Sequence, residues 1–336
     1  MRPLLLSALL LAAPALLPAA GAQPARTLTQ APAQTQPAPA RAAVLSLSAP
    51  VGTSVELSTQ TTTRMEVEDV RVTGGDPAEA ARTRADLTRL FGSQGAQRVS
   101  GKAFYRVQSR SADGRAVLLN TVVLPLPGQG DVEIRVFQTL RPDGTLADLR
   151  IESDNPVLRQ VFGGLEPGAL RQQLGAGGGL DGFYGRPLVP GQARTSSATV
   201  DMQGLLSGLY GGLSAVIGGD PPVFTGVQAS PLTVRTTTTY RGLNAARQHV
   251  FETSSSFDDW TFSVGSQGEA AALNFRAEML SQGSRSAGTS RFRADGLPAG
   301  GSQSQVMRMR ISMTEPGGQQ VQLTYRMSTE ATLRLR

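Results

Sequence analysis

The chain has 336 residues, with 32 Lys or Arg, 26 Asp or Glu, one His and no Cys, which excludes disulfides and thiolate or His/Cys metal sites. Its net charge of +6 is spread without a basic run and with few aromatic residues, unlike a nucleic-acid-binding surface. We therefore expect no nucleic-acid partner, no metal and no cofactor.

Residues 1–22 have the parts of a cleavable secretory signal. Met1-Arg2 is a short positive region, residues 4–17 are apolar, and residues 20–22 form an A-x-A-type cleavage site. The apolar part is too short to cross a membrane, and no later segment reaches the roughly 18 apolar residues of a spanning helix. We expect export to the periplasm or cell envelope, and a mature chain that starts near Gln23 without a transmembrane helix.

The next part of the chain is a linker followed by a β-rich half. Residues 23–42 are rich in Pro, Ala, Gln and Thr, which predicts a disordered linker. The N-terminal half, 43–155, begins with alternating residues over 55–67, a pattern that predicts a long strand.

A helix and two hairpins are expected in the rest of this half. Asp76 and Pro77 predict the start of a helix over 77–90, and Gly92 predicts its end. Asp-Gly pairs at 113–114 and 143–144 predict two hairpin turns.

A connector, 156–189, leads to a C-terminal β-rich half, 190–336. Within 203–219 the apolar residues recur at helical spacing, which predicts a helix over 204–217 in an otherwise β-like region. Further strands are expected over 193–202, 232–240, 248–257, 260–264, 271–281, 288–292, 306–313 and 321–335. Because both halves contain a long strand, a helix and then hairpins, we consider them two related halves.

The first and last strands each read as about 15 residues, where 5–6 is usual. Since sheets twist and coil, strands of this length favour a mainly β (α+β) fold: a long curved antiparallel sheet or incomplete barrel, with a helix on the concave face of each half. This layout resembles curved-sheet bacterial envelope proteins of the outer-membrane lipoprotein carrier type, whose unclosed barrels hold acyl chains. The aromatic–Pro–Gly segment 183–191 is similar to those of uncharacterised exported bacterial β-rich proteins. No diagnostic motif matches, so no site residue is carried over.

The sequence offers no catalytic constellation. His249 is the single histidine and lies in a predicted strand, and no G-x-S-x-G is present. Residues 177–182 match G-x-G-x-x-G but neither follow a strand nor open a helix. Asp258-Asp259 is an acidic pair in a turn. We expect no catalytic residue and lean towards a protein that is not an enzyme.

Apolar side chains are the better candidates for a binding surface. We expect the apolar lining of a ligand site to come from the predicted helix and the inward faces of the last hairpin, namely Leu205, Leu209, Tyr210, Leu213, Val216, Met307, Met309, Met313 and Met327. The leading hypothesis is an exported, non-enzymatic envelope protein, a scaffold or binding module for a lipid, another apolar ligand or an envelope partner. The alternatives are an envelope-polymer hydrolase with paired carboxylates and an outer-membrane β-barrel.

Overall fold

The computed structural model describes residues 43–92, 95–126, 130–156, 158–159, 183–204, 224–266, 274–314 and 319–336. Most of them belong to one large antiparallel sheet that is not closed into a barrel, which confirms the mainly β class. No helix in these ranges has the length and apolar character needed to cross a membrane. The predicted signal 1–22 and the predicted linker 23–42 lie outside the described residues. So do the predicted helix positions Leu205, Leu209, Tyr210, Leu213 and Val216.

The elements of the N-terminal part are β1 (Ala43–Val44), β2 (Ser54–Thr73), α1 (Pro77–Gly92), β3 (Gln97–Arg110), β4 (Ala116–Leu126), β5 (Gly130–Leu140) and β6 (Leu146–Ser153). Those that follow are β7 (Pro187–Leu188), β8 (Ala193–Val200), β9 (Phe224–Ala229), β10 (Leu232–Leu243), β11 (His249–Phe257), β12 (Trp260–Ser266), β13 (Asn274–Phe292), β14 (Pro298–Thr314) and β15 (Gln320–Leu335). β1 pairs with β7, and the other strands form the large sheet.

The first and last long strands lie side by side in the middle of the sheet. The strand order is β6-β5-β4-β3-β2-β15-β14-β13-β11-β10-β8, and β12 and β9 extend it beside β13. The β2–β15 pairing therefore joins an N-terminal meander to a C-terminal one.

The two predicted Asp-Gly hairpin turns are confirmed, and a third hairpin turn, at Asp295-Gly296, also contains an Asp-Gly pair. Gly114 and Gly144 have φ angles of 83° and 82°, which favour glycine. The Asp143 carboxylate accepts hydrogen bonds from the backbone N–H and the hydroxyl of Thr145, and these bonds hold the pKa of Asp143 below its usual value. In the third turn, the Asp295 carboxylate accepts from Leu297 N–H.

Helix α1 also forms where the sequence predicts it. The Asp76 carboxylate accepts hydrogen bonds from the N–H groups of Ala78 and Glu79 at 2.7 and 3.2 Å, as an N-cap does. Ala80 and Leu87 are half-buried on one stripe, and the helix packs along β2. Of the second predicted helix, 204–217, only Gly204 is described; residues 202–204 are helical, and the Asp201 carboxylate accepts a hydrogen bond from Gly204 N–H.

Some strand predictions were wrong in extent. The two strands expected at 271–281 and 288–292 are one 19-residue strand from Asn274 onwards, β13. A bulge between Leu280 and Arg285 absorbs the Gly- and Ser-rich stretch, which stays in the sheet. The Ser284 hydroxyl supports this bulge by donating to Leu280 O and accepting from Arg308 N–H. β14 starts at Pro298, eight residues before the predicted 306, and β9 was not predicted.

Two segments, 45–50 and 183–188, pack at one end of the sheet, and we call them the end plug. Ser48 and Ala49 donate backbone hydrogen bonds to Asp295 O at 2.9 and 3.1 Å. Leu45 and Phe183 are fully buried in a cluster with Tyr240 and Phe251. The end plug therefore ties the start of the described chain to the turns at this end.

Candidate functional site

The sheet has two chemically different faces. One carries the buried side chains such as Leu57, Ala103 and Phe251, and we call it the core face. The other is the charged face, where arginine–carboxylate pairs such as Arg308–Glu68 lie. Side chains alternate between the two faces along each strand, and in the described strands this alternation puts every Asp and Glu on the charged face. A core-face site built from the described strands therefore relies on apolar groups, hydroxyls and amides, or on cations.

The predicted methionines lie together on the core face. By pairing register, Met307 is opposite Met327, and Met327 is opposite Met65. Met309 and Met313 continue the same face of β14. Side chains at opposite positions have Cβ atoms about 4.5–5.5 Å apart, so these methionines form a continuous surface. We call it the methionine wall; it consists of Met65, Met279, Met307, Met309, Ile311, Met313, Tyr325 and Met327.

Most of the methionine wall is half-buried rather than sealed in a core. Met65, Met307, Met309, Met313 and Met327 all keep intermediate exposure. Met279, by contrast, is 4 % exposed. The sequence prediction missed Met65 and Met279 as wall residues. Alternation puts Met65 on the same face of its strand as Val55 and Leu57, but only the pairing of β2 with β15 puts it beside Met327.

Aromatic residues extend the methionine wall onto β12. Trp260 lies opposite Met279, and its ring stacks on Phe262 with 6.1 Å between centroids and 5° between planes. Phe275 meets Phe262 edge to face at 6.1 Å. The Trp260 indole N–H is buried without a hydrogen-bond partner, and burial raises the pKa of Tyr325 on the wall. The wall is thus broad, apolar and provided with few polar groups.

Nearer the end plug, the core face changes from methionine to small polar side chains. We call residues that lie opposite one another on successive strands a register row. One such row carries hydroxyls and an amide across six strands: Thr63, Thr329, Gln305, Ser286, Ser255 and Thr236. Thr236 and Ser255 are 3.3 Å apart, and Thr63 and Thr329 are 3.4 Å apart. We call this row the hydroxyl belt. It divides the methionine wall from the aromatic residues of the end plug.

His249 has a packing role in this structure. It is 3 % exposed at the first position of β11, and its Nδ1 lies 3.2 Å from the Tyr240 hydroxyl. Burial lowers the pKa of His249, so the imidazole is favoured in its neutral form. Its aromatic partner is Tyr240, with 5.8 Å between ring centroids, and Tyr240 packs in turn on Phe251.

Both residues of the acidic pair at 258–259 make contacts that stabilise neighbouring strands. Asp258 makes a two-point contact with the Arg235 guanidinium at 2.9 and 3.2 Å. Asp259 accepts from Ser281 N–H at 2.6 Å, a bond that lowers the pKa of this carboxyl. Across the ranges that the structure describes, no three metal-ligating side chains come together.

A polar cleft of about 420 Å³ lies beside the edge strand β9. Its lining is Gln203, Gln228, Ala229, Ser230, Thr261, Ser263 and Arg276. Arg276 is the charged group of this lining, and it is already paired with Glu278 at 2.8 Å. The cleft therefore presents amides and hydroxyls to solvent.

No protein-family model matches the chain, and no curated protein matches its sequence. The geometry of the core face is therefore the basis for the function proposed below.

Proposed function

We propose that the protein is an exported, non-enzymatic binding module of the bacterial cell envelope that holds a lipid-like apolar ligand against the methionine wall. The observation that carries the proposal is the set of half-buried methionines assembled on one sheet face from β2, β14 and β15. Methionine is flexible and polarisable, and it suits surfaces that adapt to apolar ligands of variable shape. An acyl chain fits this wall because it needs contact area and no hydrogen bonds.

We further infer that the sheet bends into an incomplete barrel with the core face inside. Tyr184 of the end plug lies so close to Gly144, in the β5–β6 turn, that a Cβ there would be 2.6 Å from the Tyr184 ring. The same plug packs on Tyr240 and Phe251 of β10 and β11. In a flat sheet β5 and β10 would be eight strand spacings, or roughly 40 Å, apart. A bent sheet explains how one short segment contacts both.

The proposed incomplete barrel is made of two related halves, 43–155 and 190–336, with the connector 156–189 between them. Two features support the relation. In each half a strand leads into helical residues at the same end of the sheet: α1 follows β2, and residues 202–204 follow β8. In each half that strand then gains an antiparallel partner from later in the chain, β3 beside β2 and β10 beside β8, although β9 precedes β10 and pairs with β12.

Replacing Met327 by Asp is expected to weaken binding of the apolar fluorescent probe N-phenyl-1-naphthylamine at least tenfold, because the carboxylate must lose water when the ligand covers it. Probe fluorescence during a protein titration measures the dissociation constant. The matched control is Gln322→Asp on the charged face of the same strand, for which we expect unchanged binding. The milder double variant Met309→Thr/Met327→Thr should also weaken binding while keeping side chains that suit strands. Equal binding by all four proteins would refute a ligand site on the wall.

Export is tested separately. In a bacterial host, the chain recovered from the envelope fraction should begin near Gln23, as measured by intact mass. Ala22→Lys should leave the longer precursor because the A-x-A site requires small residues, whereas Ala19→Ser should be processed normally. Recovery of the chain from the cytosol with residues 1–22 still attached would contradict export.

A further inference from the structure

Arg110 and Arg194 are arginines that turn towards the core face. Arg110 ends β3, and its guanidinium donates to the carbonyl oxygens of Leu47 and Ala49, the second at 2.9 Å. Arg194 lies on the edge strand β8, directly opposite Thr238 on β10. Its Nε is buried without a hydrogen-bond partner. The two arginines therefore differ, because the first is satisfied by the end plug and the second is not.

The surroundings of Arg194 hold its guanidinium in place without neutralising it. The guanidinium carbon lies 5.6 Å from the centroid of the Phe183 ring, within the range of a cation–π contact. Phe183 is fully buried and meets Phe251 edge to face at 5.3 Å. As described above, no carboxylate of the described strands has a core-face position. Among the described residues, an aromatic ring therefore positions this charge and no carboxylate is paired with it.

A hydroxyl beside Arg194 is also unpaired. Thr238 is 1 % exposed, and its Oγ1 has no hydrogen-bond partner. Buried polar atoms are normally hydrogen-bonded, and an orphaned one in a native fold needs an explanation. Arg194 keeps intermediate exposure, so a ligand can reach its side chain from solvent. One acceptor group placed here could use both the guanidinium and the hydroxyl.

We propose that Arg194 and Thr238 form an oxyanion site for the carboxylate, phosphate or sulfate group of an amphipathic ligand. The planar guanidinium matches such groups with two parallel hydrogen bonds, and the Thr238 hydroxyl can donate a third. The proposal rests on the function proposed above and specifies its ligand as anionic. Thr61 on β2 lies in the same register row as Thr238 and Arg194. Met65, which belongs to the methionine wall, is four residues further along the same strand. At 3.3 Å per residue, the methionine wall begins about 13 Å from this row, measured along the strands.

The test compares cis-parinaric acid with its methyl ester, which share one fluorescent chain and differ in charge. The wild-type protein should bind the acid about tenfold more tightly than the ester, as expected for a gain near 1.4 kcal/mol. Arg194→Gln should remove this difference and leave the affinity for the ester unchanged. Arg241→Gln is the matched control, since Arg241 lies on the charged face of neighbouring β10 and pairs with Glu252 at 2.7 Å. That variant should keep the preference for the acid.

Thr238→Val is a second variant that removes one donor while keeping a side chain suited to a strand; it should reduce the preference for the acid by a smaller factor. Circular dichroism melting curves establish that each variant is folded. Inorganic phosphate distinguishes a free anion from a lipid head group. A phosphate-dependent rise in Tm that is lost in Arg194→Gln supports a site for the free anion, and the acid–ester difference supports the head group.

Equal affinity for acid and ester in the wild-type protein, with no Arg194-dependent phosphate effect, would overturn the oxyanion site and leave the apolar binding function standing. Failure of the folded protein to bind either probe would instead refute the proposed function itself. The two failures are therefore distinguishable in one set of titrations.

Discussion

Replacing Phe251 by Ala is expected to lower the free energy of unfolding by about 3–5 kcal/mol, the range for deleting a buried aromatic side chain. Phe251 is 0 % exposed. Its ring contacts Phe183, Tyr240 and Phe292 with centroid distances of 5.3, 5.1 and 5.9 Å. The alanine would leave a cavity where the end plug meets β10, β11 and β13. Loss of the ring therefore removes contact area between the sheet and the end plug.

Urea unfolding followed by circular dichroism measures this loss. The matched control is Phe137→Ala, because Phe137 is half-buried and its ring lies 4.3 Å from the Arg150 guanidinium carbon rather than in a core cluster. We expect the control to lose about 1 kcal/mol. If the two variants unfolded at the same urea concentration, the end plug would contribute little to stability.

Replacing Gly296 by Ala is expected to cost about 2–5 kcal/mol, although only one carbon is added. The φ angle of Gly296 is 84°, a left-handed conformation that costs other residues about 1–2 kcal/mol. A Cβ at this position would lie 2.7 Å from the Leu47 Cα and closer still to the Ser46 carbonyl oxygen. These neighbours are backbone atoms of the end plug, so relief requires moving the chain, and overpacking of this kind costs about 1–3 kcal/mol more.

Gly52→Ala provides the comparison for Gly296→Ala. Gly52 has a φ angle of 90°, and a Cβ there meets nothing within 4 Å. Only the conformational cost of about 1–2 kcal/mol should remain. Thermal and urea unfolding of both variants give the difference, which reports on the contact between the end plug and the β13–β14 turn. Equal losses would contradict the close approach of residues 46–47 to Gly296.

The secondary structure could be predicted wherever the signal is local. The Asp-Gly turns and the cap at Asp76 depend on residues two or three positions apart, and they form as predicted. Alternation identified β2, β14 and β15, although each is longer than expected. The break expected in β13 was wrong because Gly and Ser residues can form a bulge that is held by a partner strand.

The candidate site could be predicted only in part. Met307, Met309 and Met313 share one face of β14, and Met327 lies opposite Met307, because the two strands pair and are close in sequence. That these residues bind a ligand stays a prediction. Met65 and Met279 come from strands whose pairing partners the sequence does not identify. The helix residues predicted to complete the lining lie outside the described residues, so their role stays a prediction.

Arg194 was missed because nothing in its neighbourhood along the chain marks it. Residues 193–200 look like a polar strand, and an arginine there is expected to face solvent. Its inward position depends on the pairing of β8 with β10 and on Phe183, which is brought over its guanidinium by the end plug.

The sequence by itself determined the mainly β class, the hairpin turns and the separation of apolar from charged residues along each strand. These properties follow from interactions over two to four residues, so they survive without knowledge of the rest of the chain. The tertiary structure decided which strands pair, and so which side chains from distant parts of the chain share a face. The pairing of β2 with β15 brings Ser58 beside Arg334, 276 positions away, and pairings at such separations leave no periodic signal in either strand. The methionine wall and the core-face position of Arg194 both depend on contacts of this long-range kind.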